Sequence, residues 1–339
     1  MNPFKLLRRA AHFALTGRPG LPAAFDFPLT SPQRSVSVLL HGLGEPRDIT
    51  NNHSVACPIP FTLCIGLEDG CEVYPSPRNL SVRFVERTDS RRLLGEIKLR
   101  HQQVVIANGS QLHLFRATGC RNYSFSPFRD WTRSLYARWV QKKSLKTGKL
   151  AVSPLDSCCN EVVFSCPRPI VLACLRQGNR GNIFPMNLMG QVAKDTFAFA
   201  LNRNNLASQN VMAVRELTVC TVPFSEAEQV RQLGRNHYSE LVEWSSFTFS
   251  TRSLSPQLNI PIPDFALTST ELKVEKELCL GSHIFFAARI VGKHVYKSAP
   301  EFYRIHGTYA AQALGSLLPS SADFNQPTRQ RFREVRPGH

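Results

Sequence analysis

Long apolar runs are missing from this sequence of 339 residues. The richest, Ile284-Phe285-Phe286-Ala287-Ala288, stops at Arg289, far short of the roughly twenty residues that carry a helix across a bilayer. The first residues contain Lys5, Arg8, Arg9 and Arg18 and no acid, but Arg8, Arg9 and His12 interrupt the apolar stretch, which is a poor match to a secretory h-region. A basic arm over residues 1–24, either a short amphipathic helix or frayed chain, is expected, on a soluble, cytoplasmic protein. The ten cysteines include no Cys-x-x-Cys pair, so a zinc ribbon and a dithiol redox motif are excluded and reduced, buried thiols are the expectation. Gly-x-x-x-x-Gly-Lys-Ser/Thr, Gly-x-Ser-x-Gly and His-Glu-x-x-His are all absent. His41-Gly-Leu-Gly44 lacks the third glycine of a dinucleotide fingerprint, and Pro46 obstructs the helix that fingerprint needs.

Acidic residues are scarce as well, 25 against 41 Lys and Arg, giving a formal net charge of +16. The excess sits in three segments, 1–20, 121–149 and 327–339, and the rest of the chain is nearly neutral. A nucleic-acid-binding domain spreads its basic footprint over a folded face, with aromatic or amide groups placed for base contact. Only 121–149 fits, since Tyr123, Phe125, Phe128, Trp131, Tyr136 and Trp139 lie among its Arg and Lys residues. Two readings stay open: a contact for nucleic acid or a membrane surface, or a solvated basic helix whose aromatics pack on the neighbouring domain.

Short apolar runs separated by Gly, Pro, Asn and Asp clusters predict a mainly β protein. Strands are expected at 35–40, 61–67, 80–85, 96–99, 103–106 and 111–115, with Asn108-Gly109 as a hairpin turn. A helix follows over 129–147, and Ser153-Pro154 opens a linker. A second strand series covers 162–165, 170–174, 196–201, 216–221, 247–250, 265–274 and 283–291, with short helices at 225–233 and 206–211. The domains expected are a β-rich one over 25–120, a basic aromatic helix and linker over 121–157, a second β domain over 158–310 and a basic tail over 311–339. The first β domain can itself be barrel-like. Sliding the chain by 136 residues lays Phe61-Thr-Leu-Cys-Ile on Phe197-Ala-Phe-Ala-Leu. That is compatible either with a distant duplication or with chance alignment of alternating strands.

Chemistry concentrates in Gly178-Asn-Arg-Gly-Asn-Ile-Phe-Pro-Met-Asn-Leu-Met-Gly190 and in Asn202-Arg203-Asn204-Asn205 with Ser208. Loops this dense in Gly and Asn present backbone N–H groups and amides to an anion. Arg203 at the start of a helix suits a phosphate. Ordinary hairpin ends with turn-forming Asn would look the same.

The order Pro169-Ile-Val-Leu-Ala, Gly181-Asn-Ile-Phe-Pro-Met-Asn-Leu-Met-Gly, Phe197-Ala-Phe-Ala-Leu and Gly281-Ser-His-Ile-Phe-Phe-Ala-Ala-Arg-Ile-Val resembles the flavin reductase-like, FMN-binding split-barrel family, over residues 165–310. The resemblance implies a split β-barrel, FMN or FAD as cofactor and NADH or NADPH as co-substrate, with hydride passing to flavin N5. It also implies that Asn182, Pro185, Met186, Asn187 and Leu188 line the ring, that Arg203, Asn204, Asn205 and Ser208 face the phosphate, and that His283 points toward the flavin or nicotinamide. Asn187 stands where the family has Thr or Ser. Ser282 replaces the usual acid beside the histidine, which would leave His283 without its orienting neighbour. These departures favour a non-catalytic flavin-binding module as the alternative. Such proteins commonly dimerise with the flavin at the interface, so either a homodimer or an internal pseudo-dimer is expected. His237, His283 and His306 lack helix-paired spacing, so no metal is expected, and His237 and His306 fit the cofactor cleft, a subunit interface or the surface equally well.

Overall fold

The computed structural model describes residues 24–30, 36–67, 79–87, 91–124, 127–146, 152–251 and 253–306. Most of the basic arm and the C-terminal tail fall outside these ranges. The first half contributes β1 (Ala24–Leu29), β2 (Val36–His41), β3 (Arg47–Asp48), β4 (His53–Pro58), β5 (Phe61–Gly66), β6 (Ser81–Glu86), β7 (Leu93–Ala107) and β8 (Ser110–Asn122). Helices α1 (Pro127–Lys146) and α2 (Pro154–Val163) connect it to β9 (Arg168–Pro169), β10 (Val171–Gln177), β11 (Arg180–Met186), β12 (Met189–Ala193) and β13 (Thr196–Asn202). The chain continues through α3 (Leu206–Val214), β14 (Glu216–Thr221), α4 (Ala227–Gln232), β15 (Val242–Glu243), β16 (Ser253–Leu254), β17 (Pro261–Ile262), β18 (Thr268–Leu280), β19 (His283–Val295) and β20 (Glu301–His306).

The mainly β expectation holds. Several local expectations do not. The runs at 96–99 and 103–106 belong to one strand, β7, whose register shifts twice against β8. At the tip, Asn108 and Gly109 take φ values of 50° and 74°, as the hairpin reading requires. The run at 162–165 is the end of α2 and its cap, not a strand. Ser153 and Pro154 start that helix rather than a linker, because the Ser153 hydroxyl accepts from Asp156 N at 3.0 Å with proline in the first turn. No strand forms at 247–250. Conversely, β11 occupies most of the Gly/Asn-rich segment read as a loop.

In the C-terminal half the sheet order is β12-β13-β19-β18-β14-β10-β11-β15. Alternation along each strand divides its side chains between two interiors. Val171, Ala173 and Leu175 of β10 join Phe197, Phe199, Leu201, Phe286 and Leu272 around one core, as in a barrel. Leu172 and Cys174 face the other way, onto Cys220, Val230, Ile260 and Phe302.

The N-terminal sheet has the order β3-β2-β6-β7-β8-β5-β4. Replacing each strand in turn by β11, β10, β14, β18, β19, β13 and β12 reproduces the C-terminal order and the sequence order together. The registers agree too. Adding 135 to both partners turns Val36↔Glu86 into Val171↔Thr221, Leu40↔Arg47 into Leu175↔Asn182 and Ser54↔Cys64 into Met189↔Phe199. The halves are therefore two copies of one arrangement, offset by 135 rather than by the 136 read from sequence, a slip that would turn every strand residue to the opposite face.

The copies face each other through equivalent strands. Ala56, Cys64, Leu112 and Leu114 of β4, β5 and β8 pack on Val192, Ala198, Phe285 and Ala287 of β12, β13 and β19. The tip of each long hairpin meets the short turn of the opposite copy. Ser282 N donates to Ile59 O at 2.8 Å, and Asn108 Nδ2 donates to Asp195 O at 3.2 Å. Reciprocal contacts of this kind mark a two-fold relationship.

Candidate cofactor site

Strand pairing gathers three segments at one end of the C-terminal sheet. β13 ends at Asn202, which pairs with His283 at the start of β19. On the other side of β13, Ala200 N donates to Leu188 O at 2.9 Å. The Asn187-Leu188 turn, the strand end at 202–205 and the hairpin tip at 281–283 are thus neighbours. Arg203 N donates to Ser282 O at 3.1 Å and ties the last two together.

The strand end is shaped for an anion. The Asn202 carboxamide oxygen accepts from Asn204 N at 3.0 Å and turns the chain into α3. Asn205 caps that helix by position without a side-chain bond to it, leaving first-turn N–H groups available. Arg203 and Asn204 are exposed, and no acidic group among the described residues pairs with the Arg203 guanidinium. This donor set, an exposed guanidinium beside amides at a helix start, fits a phosphate. Ser208 does not share that position. It is fully buried, and its hydroxyl donates to Asn205 O at 2.7 Å, so it holds the helix start rather than facing a ligand.

On the ring side, Met186 is buried in the barrel core while Pro185, Asn187 and Leu188 are partly exposed. Asn182 departs from its expected role. It is buried, and its amide donates to Asn236 O at 2.9 Å, fastening the 3-10 turn Leu233–Tyr238 onto β11. It borders a hollow of about 310 Å³ with Gln232, Asn236 and Ser239, away from the sheet end. His237 of the same turn is not a surface residue. Its Nε2 lies 2.8 Å from Pro185 O and its ring 4.9 Å from that of Phe184. Burial lowers its pKa, against the opposing effect of the Pro185 carbonyl.

His283 lies at the hairpin tip, and burial pulls its pKa down to about 4, so the ring is neutral at pH 7. Ser282 supplies the orienting partner expected to be missing, with Oγ 2.8 Å from His283 Nδ1. The opposite copy closes this corner. The Cys57 thiol lies 3.5 Å from Ser282 Oγ and also meets Leu280 O. Gly281, at φ 65°, leaves no room for a Cβ against Pro60 and the Ile59 carbonyl. Sequence reasoning missed Cys57, Ile59 and Pro60, whose only signal was the weak internal similarity. No group of three or more His, Cys, Asp or Glu among the described residues is placed to hold a metal ion, and no helix among them is long and apolar enough to cross a membrane.

Residues 163–311 match the family model of the flavin reductase like domain. The C-terminal half is flavin reductase-like. The match leaves the N-terminal copy outside it. Solved structures similar to part of this chain include an FMN-binding protein from Thermus thermophilus, at 18% identity over 39% of this chain and 71% of that one, with a TM-score of 0.33. Another is the NADH:FAD oxidoreductase SgcE6 of Streptomyces globisporus, at 13% identity over 45% and 89%, with a TM-score of 0.39. These likenesses are too remote to assign chemistry. No curated protein matches the sequence.

Proposed function

We propose that the flavin reductase-like half binds FMN at the sheet end formed by Asn187-Leu188, Arg203–Asn205 and His283, and that it reduces the flavin with NADH or NADPH. The observation that carries this reading is the Arg203 guanidinium at the start of α3, which pairs with no acid among the described residues, next to the ring-side turn, within the matched domain. Bound flavin would supply the redox chemistry, accepting hydride at N5. The chain's own task is to bind and orient. Arg203, Asn204 and the N-terminus of α3 hold the phosphate, Pro185, Asn187 and Leu188 flank the ring, and neutral His283 offers a hydrogen bond without adding charge. No acid–base dyad is needed for such a transfer, and FAD would present the same phosphate to Arg203.

Anaerobic absorbance of the purified protein tests the reading, with FMN added first, then NADH, then NADPH. Bound flavin that bleaches with one nucleotide is expected. Protein without affinity for FMN or FAD removes the proposal, and flavin that binds but never bleaches makes the half a binding module.

A further inference from the structure

We infer that the N-terminal half is a built-in second subunit that has lost its own ligand end, so the protein works as a single chain with one flavin site. The first part rests on the two-fold packing. In each copy the face that meets the other is formed by the same strands and is covered by the other copy, which leaves no such face for a second chain. The packing is close enough that a Cβ on Gly66 would overlap the carbonyl of Val192, and one on Gly190 would come within 3.1 Å of His53 O. The C-terminal site depends on this neighbour, because Ile59 accepts from Ser282 N and Cys57 abuts its hydroxyl.

The loss of the second site follows from the 135-residue equivalence and, for its ligand, from the flavin reading. In sequence, at the same offset, Arg203 and Asn204 are replaced by Glu68 and Asp69, which lie outside the described residues, an exchange of a cation and an amide for two acids. The ring-side turn is changed as well. The positions of Pro185 and Leu188 become Thr50 and His53, and both are turned inward. The Thr50 hydroxyl accepts from Val38 N at 2.9 Å, and the buried His53 ring has Nδ1 2.8 Å from Ile49 O and Nε2 3.4 Å from Arg168. The N-terminal copy retains Asn52 at the position of Asn187 but not the guanidinium of Arg203.

Light scattering of the full-length protein, combined with an FMN titration, tests both parts. A monomer of 38.1 kDa that binds one FMN per chain is expected. A stable dimer overturns the subunit assignment, and two FMN per chain overturn the loss of the second site. A monomer that binds no FMN leaves the subunit assignment standing, while sinking the flavin reading and the one-site statement with it.

A different observation carries a second proposal. Helix α1 presents Phe128, Trp131, Leu135 and Trp139 along one stripe, and they are 71%, 59%, 44% and 58% exposed. Ser134, Ala137 and Gln141, on the opposite side, are less exposed. For Phe128, Trp131 and Trp139 the expectation of packing on a neighbouring domain is therefore not met, while Phe125 and the Tyr136 side chain lie outside the described residues. Arg138 and Lys142 flank the stripe, and the sequence of 121–149 carries eight basic residues and one acid, Asp130. Trp and Phe between cationic side chains match the boundary of an anionic bilayer, and we propose that this helix docks there. Co-sedimentation of the full chain with vesicles of neutral lipid alone, and with added phosphatidylserine, tests it. Binding to the anionic vesicles only, falling at least tenfold in the W131S/W139S variant and on raising the salt, is expected. No binding, equal binding to neutral vesicles, or unchanged binding by that variant overturns it, as does salt-sensitive binding to duplex DNA in place of vesicles.

Discussion

Ser282 Oγ lies 2.8 Å from His283 Nδ1, in a setting where burial lowers the imidazole pKa to about 4. An unfolded histidine titrates near 6.5. Between these values the unfolded chain binds the extra proton, so stability rises with pH across the window and is lost as pH falls from about 6.5 toward 4, with a slope of up to about 1.4 kcal/mol per pH unit. His283→Asn should flatten the profile by one proton's share, measured as urea midpoints at several pH values across the window. An unchanged slope would count against a neutral, buried ring.

Arg203→Gln should weaken FMN by about tenfold to a hundredfold, the loss of a charge-assisted bond worth roughly 1.5–3 kcal/mol. Riboflavin, which has no phosphate, should bind both proteins alike. The thermal midpoint should not move, because the exposed guanidinium holds no partner in the described structure. Fluorescence titration with the two flavins separates these outcomes.

Asn182→Ala should act on folding. It removes the donor to Asn236 O and Ser239 O inside a buried contact, at about 1–3 kcal/mol. Urea unfolding of ligand-free protein should show the whole loss.

Gly66→Ala should loosen the contact between copies, because the added methyl meets the Val192 carbonyl. A backbone shift of that kind costs about 1–3 kcal/mol. Thermal unfolding checks this, and a variant as stable as the parent would contradict the packing described.

Much of the fold could be read from residues. The runs at 61–67, 80–85, 196–201, 216–221 and 283–291 became β5, β6, β13, β14 and β19, and Asn108-Gly109 became the turn it resembles. What failed has physical causes. β4 is buried on both faces, His53 through Cys57, since one face meets its own core and the other meets the opposite copy. It therefore shows no alternation. β11 carries Gly181, Asn182 and Pro185, residues that punctuate turns in isolation. The matched half was legible. The inward turns of Asn182 and Ser208 were not, because side-chain partners such as Asn236 O are set by tertiary packing.

The two-fold relation also changes how the sequence can vary. In a dimer of identical chains every interface substitution is made twice, and the patch must remain complementary to itself. Here Phe285 and Ala287 meet Leu112 and Leu114 under separate codons. A bulkier residue on one copy can be answered by a smaller one on the other, and selection acts on each surface alone. Joining the copies in one chain freed the N-terminal half to drift away from chemistry while the contact it makes was retained.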